Sequence, residues 1–261
     1  MSLIKPNHKP QFYGSQHDIQ ILTSDAVCRT DFEKSIGSDY IEWLSPIKKA
    51  GFAEYRDEFP RLDIPISSLK DFWPSNGPQW DGIFIDHTRD TYVLVEAKAH
   101  LKEIFNSTAA KDNCSVKKIQ DRLRSLAKDL RVKSFHEEYW FGKLYQMANR
   151  LAFLDFLNKN AAKQWRNKIR LMYLIFIDDP IADKYSLGIH ETEEAWKTAI
   201  HFAKHHMLNI PSKNKLEKMT SIVFTRYVAP KARRRPDTLK GKIRIADDFN
   251  EPSEGFTETF A

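Results

Sequence analysis

Cysteine is scarce in this chain of 261 residues, and long apolar runs are absent. The two cysteines, Cys28 and Cys114, neither form a metal-binding pair nor indicate a disulfide framework. The longest apolar run, residues 171–177, has only seven residues, which is too few to span a bilayer. The first residues lack the basic-then-apolar layout of a signal peptide. We therefore expect a cytoplasmic protein without a membrane partner.

Positive charge is concentrated in the middle of the chain. Residues 97–170 hold 17 Lys or Arg and 7 Asp or Glu, a net charge of +10, whereas the whole chain carries +6. Residues 230–244 hold seven basic residues and one acidic residue, and residues 245–261 hold five acidic residues and no basic one. Concentrated positive charge attracts polyanions and so favours a nucleic-acid partner. Solvated helix faces are the alternative, because charge patterning does not separate the two.

The hydrophobic pattern predicts one α/β domain with a central mixed β-sheet flanked by helices. Residues 1–30 show no clear period and are interpreted as an N-terminal extension, residues 31–229 as the domain, and residues 230–261 as a basic-then-acidic C-terminal tail. A helix is predicted from residue 31 to about residue 50, with an end or kink at Pro46, and a strand over 52–59. Later helices are predicted over 117–132, 139–158 and 193–207, and strands over 169–177 and 219–228.

Two short runs, 80–86 and 91–98, are separated by His-Thr-Arg-Asp and predict a β-hairpin. Alternate side chains of a strand share a face, so Glu96 and Lys98 project together at the end of an otherwise apolar strand. Asp81 begins the partner strand and can reach the same place. Burying charge is costly unless the charge is paired or binds a metal ion. Two carboxylates beside a lysine form a hard oxygen site suited to Mg²⁺ or Mn²⁺.

A metal ion at this position would lower the pKa of a bound water and stabilise negative charge on a phosphate. Lys98 would orient that water or hold the phosphate as a point charge. The sequence therefore indicates phosphate chemistry at the end of the hairpin.

Asp81 followed by Glu96-Ala97-Lys98 resembles the motif of the PD-(D/E)XK nuclease superfamily, in which an acid opens one strand and E-x-K lies on the next. Trp80 stands where a proline is expected before the acid. The motif covers residues 81–98, and a compatible order of elements covers about 31–178. The resemblance implies a restriction-endonuclease-like core and a metal-dependent nuclease, with DNA as the expected substrate. Asp81, Glu96 and the backbone carbonyl of Ala97 would hold the metal.

A glutamate on the first predicted helix would complete the metal site, in an arrangement that resembles the resolvase-type members of the superfamily. Glu42 is the first choice for this ligand, and Glu33 is the second. A solvent-facing glutamate is the alternative interpretation of Glu42.

The helix predicted over 139–158 carries Gln146, Asn149 and Arg150 on one face. Polar residues on a mostly apolar helix indicate a position at the mouth of the site, where Gln146 and Arg150 would contact a phosphate or a metal-bound water. A polar face satisfied by solvent or caps is the alternative. The combination of residues 96–100 with YQMANRL at 145–151 also resembles an uncharacterised bacterial branch of the superfamily, which implies no substrate.

Two further groups of basic residues are candidates for phosphate binding, and one pair of histidines is a candidate for zinc binding. Lys117, Arg124 and Lys128 share the polar face of the helix over 117–132, and we expect them to flank the bound nucleic-acid backbone. The cluster KARRR at 231–235 either binds phosphate or solvates the tail. His201 and His205 form a potential zinc pair with no third ligand, so surface histidines are the preferred interpretation.

Two other function classes compete with the nuclease. One is a non-catalytic nucleic-acid-binding or assembly module that keeps the nuclease fold, and the other is a hydrolase of a different phosphate ester. The intact set of Asp81, Glu96 and Lys98 favours catalysis, and the spread of basic charge favours a long polyanion. The sequence leaves open whether the enzyme is an endonuclease or an exonuclease and whether its substrate is DNA or RNA. A homodimer is expected only by analogy.

Overall fold

The computed structural model describes residues 14–74, 77–108, 110–177 and 191–226. The helices in these ranges are α1 Ser15–Ser24, α2 Ala26–Ser35, α3 Ile66–Phe72, α4 Asn113–Asp129, α5 Tyr145–Asn160 and α6 Glu193–Phe202. The strands are β1 Ile41–Ser45, β2 Gly82–Asp86, β3 Thr91–Lys98, β4 Ile169–Ile177 and β5 Thr220–Arg226.

The five strands form one mixed sheet in the order β1-β2-β3-β4-β5. β1, β2 and β3 pair antiparallel, whereas β3, β4 and β5 pair parallel. A four-residue turn, 87–90, joins β2 to β3. The predicted hairpin is therefore confirmed, and so is an α/β fold with a central mixed sheet flanked by helices.

Apolar side chains cover both faces of the sheet. One face packs against α4 and α5 through a cluster that includes Leu94 and Leu151. The opposite face packs against α1 and α2 through a second cluster that includes Val95 and Ile19. Because β4 is covered on both faces, nearly all of its residues are buried, as its continuous apolar sequence predicted.

Residues 31–50 do not form the predicted helix, and that prediction is wrong. α2 ends at Ser35, and Gly37 takes a left-handed conformation with φ of 65°, which is a common way to stop a helix. β1 follows, with Ile41, Trp43 and Ser45 buried on alternate positions. The helical spacing of the apolar residues was misleading because it included Tyr40, which is exposed, whereas the residues that β1 buries follow a two-residue period.

The packed part of the chain begins before residue 31, inside the range interpreted as an extension. Ile19 and Leu22 of α1 are buried in the cluster on the sheet. The strand predicted over 52–59 is also wrong, since this segment is irregular apart from an isolated bridge at Glu54.

The remaining helices and strands lie close to their predicted positions. α5 starts several residues later than expected, because Gly142 interrupts the preceding turn with non-helical angles. No helix in the described ranges has the length and apolar character needed to cross a membrane. The tail predicted over 230–261, including its basic cluster at 231–235, lies outside the described residues.

Asp86 fixes the turn between β2 and β3. Its buried carboxylate accepts hydrogen bonds from the Ser38 hydroxyl (2.8 Å) and the Thr88 N–H (3.0 Å), and it pairs with the Arg89 guanidinium at 2.6 Å. Burial alone would raise the pKa of Asp86, but the hydrogen bonds from Arg89 and Ser38 outweigh it and lower the pKa. Because the pKa of Asp86 is lower in the folded state than in the unfolded state, its ionised carboxylate stabilises the fold at pH values above the unfolded-state pKa. This stabilisation is lost as the pH falls through the folded-state pKa.

We predict that Asp86→Asn lowers the free energy of unfolding at pH 7 by about 1–3 kcal/mol, because buried donors lose a charged acceptor. The difference from wild type should shrink as the pH falls below about 4, the pKa of an aspartate in the unfolded chain, and should disappear below the lowered folded-state pKa. Urea titrations at pH 7 and pH 3 measure both effects. Asp90→Asn is the matched control, because Asp90 is exposed and pairs with Lys168 at the surface. Its expected cost is below about 1 kcal/mol, and equal losses in the two variants would contradict the account.

Candidate active site

Asp81, Glu96 and Lys98 meet at one end of the hairpin. The pairing register of β2 and β3 puts Asp81, immediately before β2, opposite Glu96. The backbone N–H of Ala97 donates a 2.8 Å hydrogen bond to Asp81 Oδ2, which joins the two strands at this point. The structure therefore brings together the three side chains that the sequence predicted to share a site.

Glu96 is 1% exposed and is held by two cations. Lys98 Nζ donates a hydrogen bond to Oε1, and Arg150 Nε donates one to Oε2 at 2.5 Å. Burial alone would raise the pKa of Glu96, but Arg150 and Lys98 outweigh it and hold the pKa below its ordinary value. Burial alone would likewise lower the pKa of Lys98, but Glu96 and Asp81 outweigh it and raise that pKa. Lys98 therefore keeps its positive charge at neutral pH.

Asp81 is less completely compensated than Glu96. Its Oδ1 accepts no hydrogen bond from any residue in the described part of the chain. Burial and the neighbouring charge of Glu96 raise the pKa of Asp81 well above its ordinary value, and Lys98 offsets them only in part. A second carboxylate close by and a free oxygen make Asp81 a position where a cation would relieve charge repulsion.

Arg150 connects Glu96 with the segment that leads into β2. Its Nη2 donates a hydrogen bond to the Gln79 carbonyl at 2.9 Å, and its guanidinium lies over the Trp80 ring, 4.9 Å from the ring centroid. Trp80, which stands where the motif has a proline before the acid, is fully buried beneath this contact. Arg150 was predicted to contact a phosphate, and the structure adds that it belongs to the ion-pair network of Glu96.

Glu54 is a carboxylate of this site that the sequence analysis missed. It is 1% exposed, and its two oxygens accept hydrogen bonds from Gln16 Nε2 at 2.5 Å and from Gln79 Nε2. Its charge contributes to the raised pKa of Asp81, so the two carboxylates are neighbours. Glu54 belongs to no helix or extended strand, and Gln16 comes from α1. No local periodicity therefore indicated that Glu54 would reach the site.

Glu42 does not join these residues. It lies on β1 and pairs with Ile85 of β2. Ile85 is four residues beyond Asp81, which is roughly 13 Å along the strand. Its carboxylate binds Arg61 Nη1 at 2.7 Å and His87 Nε2 at 3.0 Å. The hydrogen bond from Arg61 is the main reason that the pKa of Glu42 is lowered. The structure therefore does not support Glu42 as a ligand of the same metal ion as Asp81.

The other candidate metal ligands also lie apart from the site. Glu33 is on α2, which packs on the opposite face of the sheet through Phe32. His205 directs Nδ1 toward the carbonyl of Ile210 at 2.7 Å. Within the described residues, no three His, Cys, Asp or Glu side chains form a group that could hold a metal ion.

A divalent cation at the hairpin would therefore depend on two carboxylates and a backbone carbonyl. Asp81 Oδ1 is free, and each oxygen of Glu96 accepts one hydrogen bond and keeps a further acceptor direction. The Ala97 carbonyl accepts a 3.3 Å contact from Lys98. Mg²⁺ is commonly held by one or two carboxylates, with water in its other positions. The donor set fits a hard divalent cation on chemical grounds.

A small void of about 10 Å³ adjoins Glu96 and Lys98. The Tyr173 hydroxyl and the Trp196 indole N–H belong to residues that line it, and neither atom has a hydrogen-bond partner in the described part of the chain. A void of this size is near the smallest that holds one water molecule. The site thus offers a polar position for one water beside the lysine.

The residues predicted to contact nucleic acid lie in two different places. Lys117, Arg124 and Lys128 are exposed on α4, where Arg124 pairs with Glu137. Gln146 lies one turn before Arg150 on α5, and its amide makes no hydrogen bond within the described ranges. The structure therefore brings Gln146 and Arg150 to the site, and it leaves the three α4 residues on the surface outside it.

We predict that Arg150→Met lowers the free energy of unfolding by about 2–5 kcal/mol, because the buried carboxylate of Glu96 loses one of its two cations. Adding Glu96→Gln should recover part of the loss, since the uncompensated charge is then removed. Urea denaturation of the single and double variants measures both effects. Arg124→Met, which breaks an exposed pair, is the control with an expected cost below about 1 kcal/mol. The ion-pair account fails if Arg150→Met costs no more than this control.

Comparisons with protein-family models, with curated proteins and with solved structures give no match for this chain. The interpretation of its function therefore depends on the residues of the site and their geometry.

Proposed function

We propose that this chain is a metal-dependent nuclease that hydrolyses phosphodiester bonds in nucleic acid, with DNA as the expected substrate. The observation that carries the proposal is the convergence of Asp81, Glu96 and Lys98 at one end of a buried hairpin, with Asp81 Oδ1 left free. The proposal includes a restriction-endonuclease-like core. An acid before β2, E-x-K at the end of β3, two helices and a parallel β4 support this part of it.

Asp81 and Glu96, together with the Ala97 carbonyl, would hold Mg²⁺ or Mn²⁺. When bound, such an ion supplies positive charge that offsets the charge of the phosphate and lowers the pKa of the attacking water. Lys98 holds Glu96 and contacts the Ala97 carbonyl, and its third N–H would donate to a phosphate oxygen or a water. Arg150 fixes the orientation of Glu96.

The distribution of charge supports a polyanionic substrate over a small phosphate ester. Residues 97–170 carry a net charge of +10, and Lys117 and Lys128 are exposed on α4. Positive charge beyond the reacting site attracts a long anionic backbone more than a small molecule. A homodimer and a cytoplasmic location stay predictions.

The second candidate function is a binding or assembly module that lacks catalysis. One observation favours it: Lys98 and Arg150 already occupy one acceptor position on each oxygen of Glu96. A purely structural buried ion pair would have the same arrangement. The two candidates therefore differ in whether the carboxylates act on a substrate.

We predict Mg²⁺- or Mn²⁺-dependent cleavage when wild type is tested on single-stranded, double-stranded and branched DNA and on RNA. Asp81→Asn and Lys98→Met should each lower the rate by about 10²–10⁴-fold, because the first removes a carboxylate that would hold the metal and the second removes a positive charge that would stabilise the transition state. Gel assays with and without EDTA measure this, and circular dichroism checks that each variant is folded.

Glu42→Gln is the matched control for this assay, because it removes a carboxylate from the remote end of the hairpin. Its rate should stay close to that of wild type. Cleavage that persists in both Asp81→Asn and Lys98→Met would contradict the assigned site. A folded wild type that binds nucleic acid but cleaves none of the substrates would favour the binding module.

A further inference from the structure

A cavity of about 620 Å³ adjoins the candidate active site, between the start of α4 and the first turns of α5. This volume lies within the range of roughly 300–1,000 Å³ that is typical of ligand pockets. Gln146 and Arg150 line this cavity, and they also line the small void beside Glu96 and Lys98. The cavity and the carboxylate site therefore share one wall.

Asn149 gives the cavity a buried polar group with a fixed orientation. The side chain is 2% exposed, and its Oδ1 accepts a 3.0 Å hydrogen bond from Arg150 Nη1. Because a guanidinium only donates hydrogen bonds, the oxygen must face Arg150 and the amide nitrogen must point elsewhere. That nitrogen donates no hydrogen bond within the described residues, and neither does the amide of Gln146 on the same wall. The wall thus presents unused donors to a ligand.

Tyr145, which is partly exposed, adds aromatic surface to the same cavity. Trp73 lies behind this surface: it is buried and is fixed by Phe72 and Phe153, whose ring centroids lie 5.5 and 5.3 Å from that of Trp73. Aromatic rings stack on the flat face of an unpaired nucleobase, while amide side chains bind the polar atoms at its edge. Rigid aromatic surface beside free amides is therefore the chemistry that recognises a base.

We propose that this cavity binds an unpaired nucleobase of the strand that is cut, so that the substrate is single-stranded or locally unpaired near the scissile phosphate. This inference rests on the proposed nuclease function. Arg150 lies at the shared wall and pairs with Glu96, so a nucleotide whose base occupies the cavity can place its phosphate on the Arg150 side, toward the carboxylate site. A base inside a duplex is stacked and must leave the stack before it can enter such a cavity.

The test is a binding measurement on the full chain without divalent metal, so that no strand is cut. The probes are a short labelled thymidine oligonucleotide and the same backbone with every base removed. Wild type should bind the intact strand about tenfold more tightly or better, which is the order of one base stacked on an aromatic ring. Gln146→Leu with Asn149→Leu should abolish this preference. Lys117→Gln, an exposed charge change on α4, should affect both strands equally.

Gln146→Leu alone is the second variant, because Asn149 is buried and its replacement can unfold the chain. Gln146 is partly exposed, and its replacement should reduce the preference for the intact strand at least threefold. Equal binding of intact and abasic strands by wild type overturns the proposal, even if the chain cleaves DNA. A preference that survives in both variants also overturns it. A preference lost in the variants supports the cavity assignment, even if the separate cleavage assay excludes nuclease activity.

Discussion

The burial of one carboxylate, that of Glu96, is the constraint on which the rest of the site depends. A charge at the end of a central strand must be compensated, and Lys98 from the same strand and Arg150 from α5 each bind one of its oxygens. Arg150 also binds the Gln79 carbonyl and packs over Trp80. The chain therefore enters β2 at a fixed position, and Asp81 comes to lie opposite Glu96.

Asp81 is the carboxylate whose charge is less completely compensated than that of Glu96. Burial and the neighbouring charge of Glu96 raise its pKa, Lys98 offsets them only in part, and its Oδ1 accepts no hydrogen bond within the described residues. A divalent cation beside Asp81 would compensate this carboxylate, and its positive charge would attract a phosphate. The difference between Glu96 and Asp81 thus links the packing of the hairpin to the proposed chemistry.

The sequence predicted the hairpin, β4 and the meeting of Asp81 with Glu96 and Lys98, because strand alternation, a four-residue turn and a continuous apolar run are local signals. It did not predict β1 or the position of Glu42, because apolar residues continue at helical spacing beyond Ser35, where α2 ends. The sequence did not predict the position of Glu54, for a different reason. Its partners Gln16 and Gln79 are 38 and 25 residues away, so only the folded chain brings them together.

Calorimetric titration of the purified, metal-free chain with Mn²⁺ tests the central claim most directly, because it does not depend on knowing the substrate. The account predicts saturable binding of Mn²⁺ to wild type. Binding should weaken by about tenfold or more in Asp81→Asn, since a carboxylate ligand is lost, and it should be unchanged in Glu42→Gln. A folded wild type without saturable binding, or equal binding by wild type and Asp81→Asn, would contradict the claim that these carboxylates form a metal site.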